Sequence, residues 1–270
     1  MSARFRPLVS FTRVAIAGLV LAGCDTTWFR PAHFSFLNGE WKWVGRNAAV
    51  GRHEHAIGAD PKTFAILDDP RYAKDVKTVF YRGGKIVDAD PASFEIMPDE
   101  VGVSGRLYTR DRYHVFLDGK TIPGADPATY RVIQAPFGRD ARNVYCGTLT
   151  VYGADPATFT VLTESTSWSH MGEPEHFLRH NGPAFAKADV SQERPAILTT
   201  CTWSRDSRSY FYNASRVEDA DYETFQLIDT REARDKNGRF ICQYRKEDYQ
   251  EKVHGAWPLE QARQARAEAP

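Results

Sequence analysis

Ala59-Asp60-Pro61-Lys62-Thr63-Phe64-Ala65-Ile66-Leu67 decides the architecture, because the same pattern returns along the chain. It recurs as Ala89-Asp90-Pro91-Ala92-Ser93-Phe94-Glu95-Ile96-Met97 and as Ala125-Asp126-Pro127-Ala128-Thr129-Tyr130-Arg131-Val132-Ile133. A fourth copy is Ala154-Asp155-Pro156-Ala157-Thr158-Phe159-Thr160-Val161-Leu162. A later one, Ala220-Asp221-Tyr222-Glu223-Thr224-Phe225-Gln226-Leu227-Ile228, has lost the proline. The first four begin at 59, 89, 125 and 154, in steps of 30, 36 and 29 residues, and self-similarity at such a period marks a repeat protein. The last step, 66 residues, is close to two periods. It places a decayed copy at Ala188-Asp189-Val190 with Ala196-Ile197-Leu198, for six units in all.

Each residue type in the box has a local reason. Asp60, Asp90, Asp126, Asp155 and Asp221 stand where a carboxylate caps a short turn by accepting from N–H groups two and three residues on. Proline suits the first turn position, where its missing N–H would have been unpaired anyway. Thr or Ser adds a further local hydrogen bond. The aromatic then opens an alternating strand such as Phe94-Glu95-Ile96 or Tyr130-Arg131-Val132. Before most boxes stands an apolar or aromatic pair followed by a turn: Phe80-Tyr81 before Gly83-Gly84, Val115-Phe116 before Asp118-Gly119, Val144-Tyr145 before Gly147, Phe211-Tyr212 before Asn213-Ala214. Gly-Gly and Asp-Gly favour the turns that close β-hairpins.

One unit therefore reads strand, tight turn, strand, capped turn, strand. Such a unit cannot bury its own apolar face and needs neighbours to stack on. The expected fold is all-β, a tandem repeat of roughly 30-residue three-stranded units. The array is either open and solenoid-like, partly closed, or closed into a six-bladed propeller. Composition agrees with a globular β body: of 270 residues, 42% are hydrophobic and 13% aromatic, the residues that half-buried strands favour. The formal net charge is zero, which denies a nucleic-acid role its electrostatic footprint.

The hairpins Val79-Phe80-Tyr81-Arg82-Gly83-Gly84-Lys85-Ile86 and Tyr113-His114-Val115-Phe116-Leu117-Asp118-Gly119-Lys120, together with the boxes, resemble the DKNYY-repeat family of bacterial envelope proteins. Asp235-Lys236-Asn237 with Phe240 looks like the opening of a seventh, incomplete copy. The resemblance covers roughly residues 40–245 and implies a repeated β fold, with no particular activity.

The N-terminus reads as an export signal. Arg4, Arg6 and Arg13 form a positive region, and Val14 to Ala22 a short apolar one that is too short to span a bilayer. Leu21-Ala22-Gly23-Cys24 resembles a bacterial lipobox, which implies cleavage before Cys24 and acylation of that residue. Several acyl chains hold a domain at a bilayer where one would hold it only marginally. Asp25 resembles the signal for retention in the inner membrane, with the outer membrane as the alternative. Removing residues 1–23 leaves 32 basic and 35 acidic residues, a net charge of −3. The expected organisation is a signal peptide over 1–23, anchor and linker over 24–39, the β-repeat domain over 40–249 and a tail over 250–270. Of the remaining cysteines, Cys201 and Cys242 lie little more than one repeat apart and are the preferred disulfide pair, leaving Cys146 as a small buried hydrophobe.

No sequence motif anchors an enzyme: a phosphate loop, a Gly-x-Ser-x-Gly elbow and a zinc-protease helix are all missing. His53-Glu54-His55 would put two imidazoles on one face of a strand but has no third metal ligand within sequence reach. The paired aspartates Asp88/Asp90 and Asp219/Asp221 invite calcium, yet calcium needs six or more oxygens, and a capping role accounts for one Asp per unit. No metal and no cofactor is expected. The stretch Ser165 to Asn181 is the least repeat-like part of the chain, and it gathers Trp168, His170, His176 and His180. Functional residues concentrate on irregular excursions from a rigid scaffold, so these four are the candidate binding residues. The leading expectation is a non-catalytic, lipid-anchored envelope protein whose repeat surface binds another envelope protein. A glycan-binding or enzyme-like site in 165–181 is the alternative.

Overall fold

The computed structural model describes residues 31–47, 51–97, 108–163 and 202–249, and within them the chain is almost entirely β. Six small antiparallel sheets follow one another in chain order. The first has three strands, β1 (His33–Leu37), β2 (Glu40–Asn47) and β3 (Gly51–Ala56). The second contains β4 (Ala65–Ile66), β5 (Tyr72–Lys74), β6 (Val79–Tyr81) and β7 (Gly84–Lys85). The third contains β8 (Glu95–Ile96), β9 (Tyr108–Arg110), β10 (Val115–Leu117) and β11 (Lys120–Thr121). β12 (Arg131–Gln134), β13 (Phe137–Arg139), β14 (Val144–Cys146) and β15 (Leu149–Thr150) make the fourth. β16 (Thr160–Val161), β17 (Trp203–Arg205), β18 (Tyr210–Tyr212) and β19 (Ser215–Arg216) make the fifth, and β20 (Gln226–Leu227), β21 (Glu232–Asp235), β22 (Gly238–Ile241) and β23 (Tyr244–Arg245) the sixth. Each is a plain meander, and each of the last five starts just after a box aromatic.

Stacking follows from the two-residue period of a strand. In β6, Phe80 points back to the first sheet while Val79 points on to the third. In β10, Phe116 points back and Val115 and Leu117 point on. Tyr145 against Val144 and Cys146, and Phe211 against Tyr210 and Tyr212, repeat the scheme. These strands are buried on both faces, so five clusters form, each between two consecutive sheets. Every box aromatic lies at the centre of one. Phe94 meets Tyr72 of the preceding sheet and Phe116 of its own, with ring centroids 6.1 and 5.8 Å away. The same triad recurs as Phe34–Phe64–Phe80, Tyr108–Tyr130–Tyr145, Phe137–Phe159–Phe211 and Trp203–Phe225–Phe240. Aromatic pairs at such distances add about 0.5–1.5 kcal/mol each beyond their buried area.

Among the described residues no cluster and no strand pairing joins the sixth sheet to the first, so the stack is an open array and not the ring of a propeller. The far face of the sixth sheet shows how it ends. The forward-facing places held by Tyr72, Val79 and Ile86 in the second sheet are held by Glu232, Arg239 and Lys246 in the sixth, and Arg239 pairs with Glu232 at 2.9 Å. Ile228, at the place of Leu67, stays 44% exposed on this face, but these three places are polar, as a terminal repeat needs.

Several details differ from the sequence reading. Each box-headed sheet has four strands and not three, because a short strand such as Tyr72–Lys74 pairs between the box strand and the aromatic hairpin. Three residues are too few to show a period. Residues Ala188 to Leu198, read as a decayed copy, lie outside the described residues. The strands on either side of them, β16 and β17, are partners in one sheet, so the 66-residue step is one unit with a long internal connection. The unit that brings the count to six is instead the first, N-terminal sheet. Its first strand, His33–Leu37, falls within the 24–39 stretch read as anchor and linker. Asp235 does not open a seventh copy; it ends β21, inside the sheet headed by the Asp221 box.

Candidate functional site

The meander gives the array two unlike edges. On one lie the five boxes and the tips of the hairpins between second and third strands. On the other lie the connections between first and second strands, including those that leave the described residues after Met97 and Thr163.

The box edge is built from paired aspartates. Asp60 Oδ1 accepts from Lys62 N–H at 3.0 Å and Oδ2 from the Thr63 hydroxyl at 2.9 Å, while its own N–H donates to Asp75 Oδ2 at 2.8 Å. Asp75 Oδ1 accepts from Lys77 and Thr78 N–H, both at 2.7 Å. The bond between box and tip recurs in every later unit: Asp90 N–H donates to Asp111, Asp126 to Asp140, Asp155 to Asp206 and Asp221 to Asp235. The tip aspartates are buried, with Asp206 2% exposed and Asp111 3%. Sequence reasoning missed this second aspartate. Its signal was present as a recurring basic–acidic dipeptide: Lys74-Asp75, Arg110-Asp111, Arg139-Asp140, Arg205-Asp206 and Arg234-Asp235.

The electrostatics follow from the bonds. Burial pushes the Asp140 carboxyl up, but N–H donors from Asp126, Arg142 and Asn143 and the Tyr145 hydroxyl outweigh it and hold it below the ordinary range. Burial likewise opposes ionisation of Asp235, yet the Arg245 fork and two N–H groups bring it to about 2. The box aspartates Asp60, Asp90 and Asp155 are also lowered by their turn hydrogen bonds, with Arg112 adding to Asp90, and Asp221 is lowered by the Lys236 ammonium first and by its Thr224 bonds second.

The basic residue of three of these dipeptides reaches a carbonyl of the next unit. Lys74 Nζ donates to the Pro91 carbonyl at 2.8 Å, Arg110 to that of Pro127 at 3.2 Å, and Arg139 to that of Pro156. Where the proline is lost, Tyr222 instead donates its hydroxyl back to the Asp206 carbonyl at 2.8 Å.

Between the fourth and fifth sheets this edge opens into a groove of about 640 Å³. Arg131, Arg139 and Arg142 line it, and the small side chains of Ala128, Ala141 and Ala157 leave it open. Its two carboxylates, Asp140 and Asp155, are committed to the box and tip turns.

Trp168, His170, His176 and His180 lie outside the described residues, as do Cys24, Asp25 and Cys201. The flanking strands place the departure of the 164–201 connection on the edge opposite the boxes. His53, Glu54 and His55 are exposed on β3, and a Cβ on Gly45 would come within 2.7 Å of His53 Nε2. Cys146 is completely buried, and burial pushes its thiol up. Among the described residues no helix is long and apolar enough to cross a membrane.

The profile of the DKNYY family matches residues 47–170 and again residues 108–246. The chain belongs to the DKNYY family. The two matches overlap over the third and fourth sheets, so the family pattern itself spans several units of the array. No curated protein and no solved structure matches the chain. Asp235-Lys236-Asn237 shows what the family pattern holds in place here: a buried aspartate that accepts from the Asp221 and Asn237 N–H groups and receives the Arg245 guanidinium.

Proposed function

We propose that this DKNYY-family protein is a non-catalytic envelope lipoprotein, anchored through acylated Cys24, that presents its array to another envelope protein. The observation behind this reading is the double-sided burial of every inner sheet. Faces are spent on stacking, which leaves two long, chemically distinct edges for contact, and repeat arrays characteristically bind along such extended surfaces. The export signal and lipobox supply the address, and Asp25 favours the inner membrane.

Cross-linking in intact cells, followed by mass spectrometry, tests the partner. A reproducible protein adduct mapping to one edge is expected. A glycan-dependent shift with no protein adduct would overturn the reading. The anchor has its own test: Cys24→Ser should remove the acyl mass and release the protein from membranes. Retention of that variant at the membrane would count against lipidation.

A further inference from the structure

We propose that the groove between the fourth and fifth sheets binds a phosphate group through Arg131, Arg139 and Arg142. Strand register sets the fourth sheet apart. The residue directly opposite the conserved-in-repeat Lys or Arg of the second strand is Ala65 against Lys74, Glu95 against Arg110, Thr160 against Arg205 and Gln226 against Arg234. These partners are neutral or acceptors, and Glu95 pairs with Arg110 at 2.6 Å while Gln226 accepts from Arg234 at 2.9 Å. In the fourth sheet the partner is Arg131 against Arg139. Like charges directly opposed across a ladder are destabilising, so this sheet departs from the others in the unfavourable direction.

The departure coincides with the groove. Arg142 enters it from the hairpin tip, and neither Arg131 nor Arg142 has a carboxylate partner among the described residues. In the third and sixth sheets the residue after the tip aspartate is a cation held by the box: Arg112 bonds Asp90 at 2.8 Å and Lys236 bonds Asp221 at 2.6 Å. In the fourth sheet the place of Arg112 and Lys236 is taken by Ala141, which opens the groove instead of filling it. An anion between the three guanidinium groups would relieve the repulsion.

Guanidinium forks suit both carboxylate and phosphate. A planar carboxylate offers two oxygens, which one or two forks saturate, whereas a tetrahedral phosphate has oxygens for three forks approaching from different strands. The geometry therefore selects phosphate. The inference is independent of the protein-binding reading and of the lipid anchor.

Calorimetry on the full-length protein in a neutral detergent at low ionic strength tests it, with inorganic phosphate, acetate and glycerophosphoglycerol (the free headgroup of phosphatidylglycerol) as probes. Phosphate should bind, acetate at least tenfold more weakly. The variant Arg131→Gln/Arg142→Gln should lose at least tenfold in phosphate affinity, while Lys77→Gln, at the equivalent tip of the second sheet, should bind as the parent does. Tighter binding of glycerophosphoglycerol would assign the phosphate to a lipid headgroup, and tighter binding of inorganic phosphate to a soluble ligand. Absence of phosphate binding, equal binding of acetate, or full retention in the Arg131/Arg142 variant would overturn the proposal.

Discussion

At the scale of single residues, the two aspartates of each unit do different work, and the difference is measurable. Asp126 caps an exposed turn, and losing such a cap costs about 1 kcal/mol. Asp140 is 4% exposed and accepts from three N–H groups and the Tyr145 hydroxyl. Asp140→Ala strands those donors, so urea unfolding should show a loss of about 3 kcal/mol or more, against about 1 kcal/mol for Asp126→Ala. Equal losses would show that burial of the tip carboxylate is unimportant. Protonation should act in the same way. Carboxyls held below the ordinary 3.8, among them Asp140 and Asp235, contribute stability that is present above that value and lost as pH falls through their folded-state values, about 2 for Asp235. The urea midpoint should stay level above about pH 5 and fall between about pH 4 and 2. Asp235→Asn should flatten part of that fall, and an unchanged profile in the variant would remove Asp235 from the account.

At the scale of elements, the box was legible because each of its residues acts on neighbours two to four positions away. Its aromatic was legible as inward-facing for the same reason. The tip aspartate was not, because its partner lies 14 to 51 residues back in sequence and an Asp beside Lys or Arg reads as ordinary surface charge. The candidate residues Trp168, His170, His176 and His180 stand within the connection whose length makes the spacing look like two units; only the pairing of β16 with β17 shows that it belongs to one. Pairing across elements also leaves a local record. Four boxes carry Phe at the centre of the triad and the third carries Tyr130, and the residue its hydroxyl reaches in β13 is Gly138. A Cβ there would overlap that hydroxyl. The corresponding places in the second and sixth sheets, where the box has Phe, hold Ala73 and Ala233. Gly138→Ala should therefore cost about 1–3 kcal/mol by overpacking, and Tyr130→Phe in the same chain should recover most of it. Simple additivity of the two changes in urea unfolding would dissolve the proposed pairing.

At the scale of the whole molecule, the array is held by nearest-neighbour interfaces, and what distinguishes an inner sheet from the last one is the chemistry of three forward-facing places. Tyr72, Val79 and Ile86, or Phe137, Val144 and Val151, bury those places against the next sheet. Glu232, Arg239 and Lys246 keep the same places compatible with water, since an apolar face with no successor would seek another molecule. Glu232→Tyr/Arg239→Val/Lys246→Ile rewrites the last sheet in the pattern of the second, and its exposed face is then complementary in kind to the backward-facing surface of a box-headed sheet. Sedimentation velocity should show concentration-dependent association of this variant at concentrations where the parent sediments as a single species, with far-ultraviolet circular dichroism unchanged. Arg239→Glu provides the complement: it opposes Glu232 with a like charge, loosens the cap and should lower the urea midpoint slightly without causing association. If the apolar variant remains folded and monomeric, the polar face is not what ends the stack, and termination would then rest on the helical turn at 246–249 that carries buried Tyr249 back onto the last cluster.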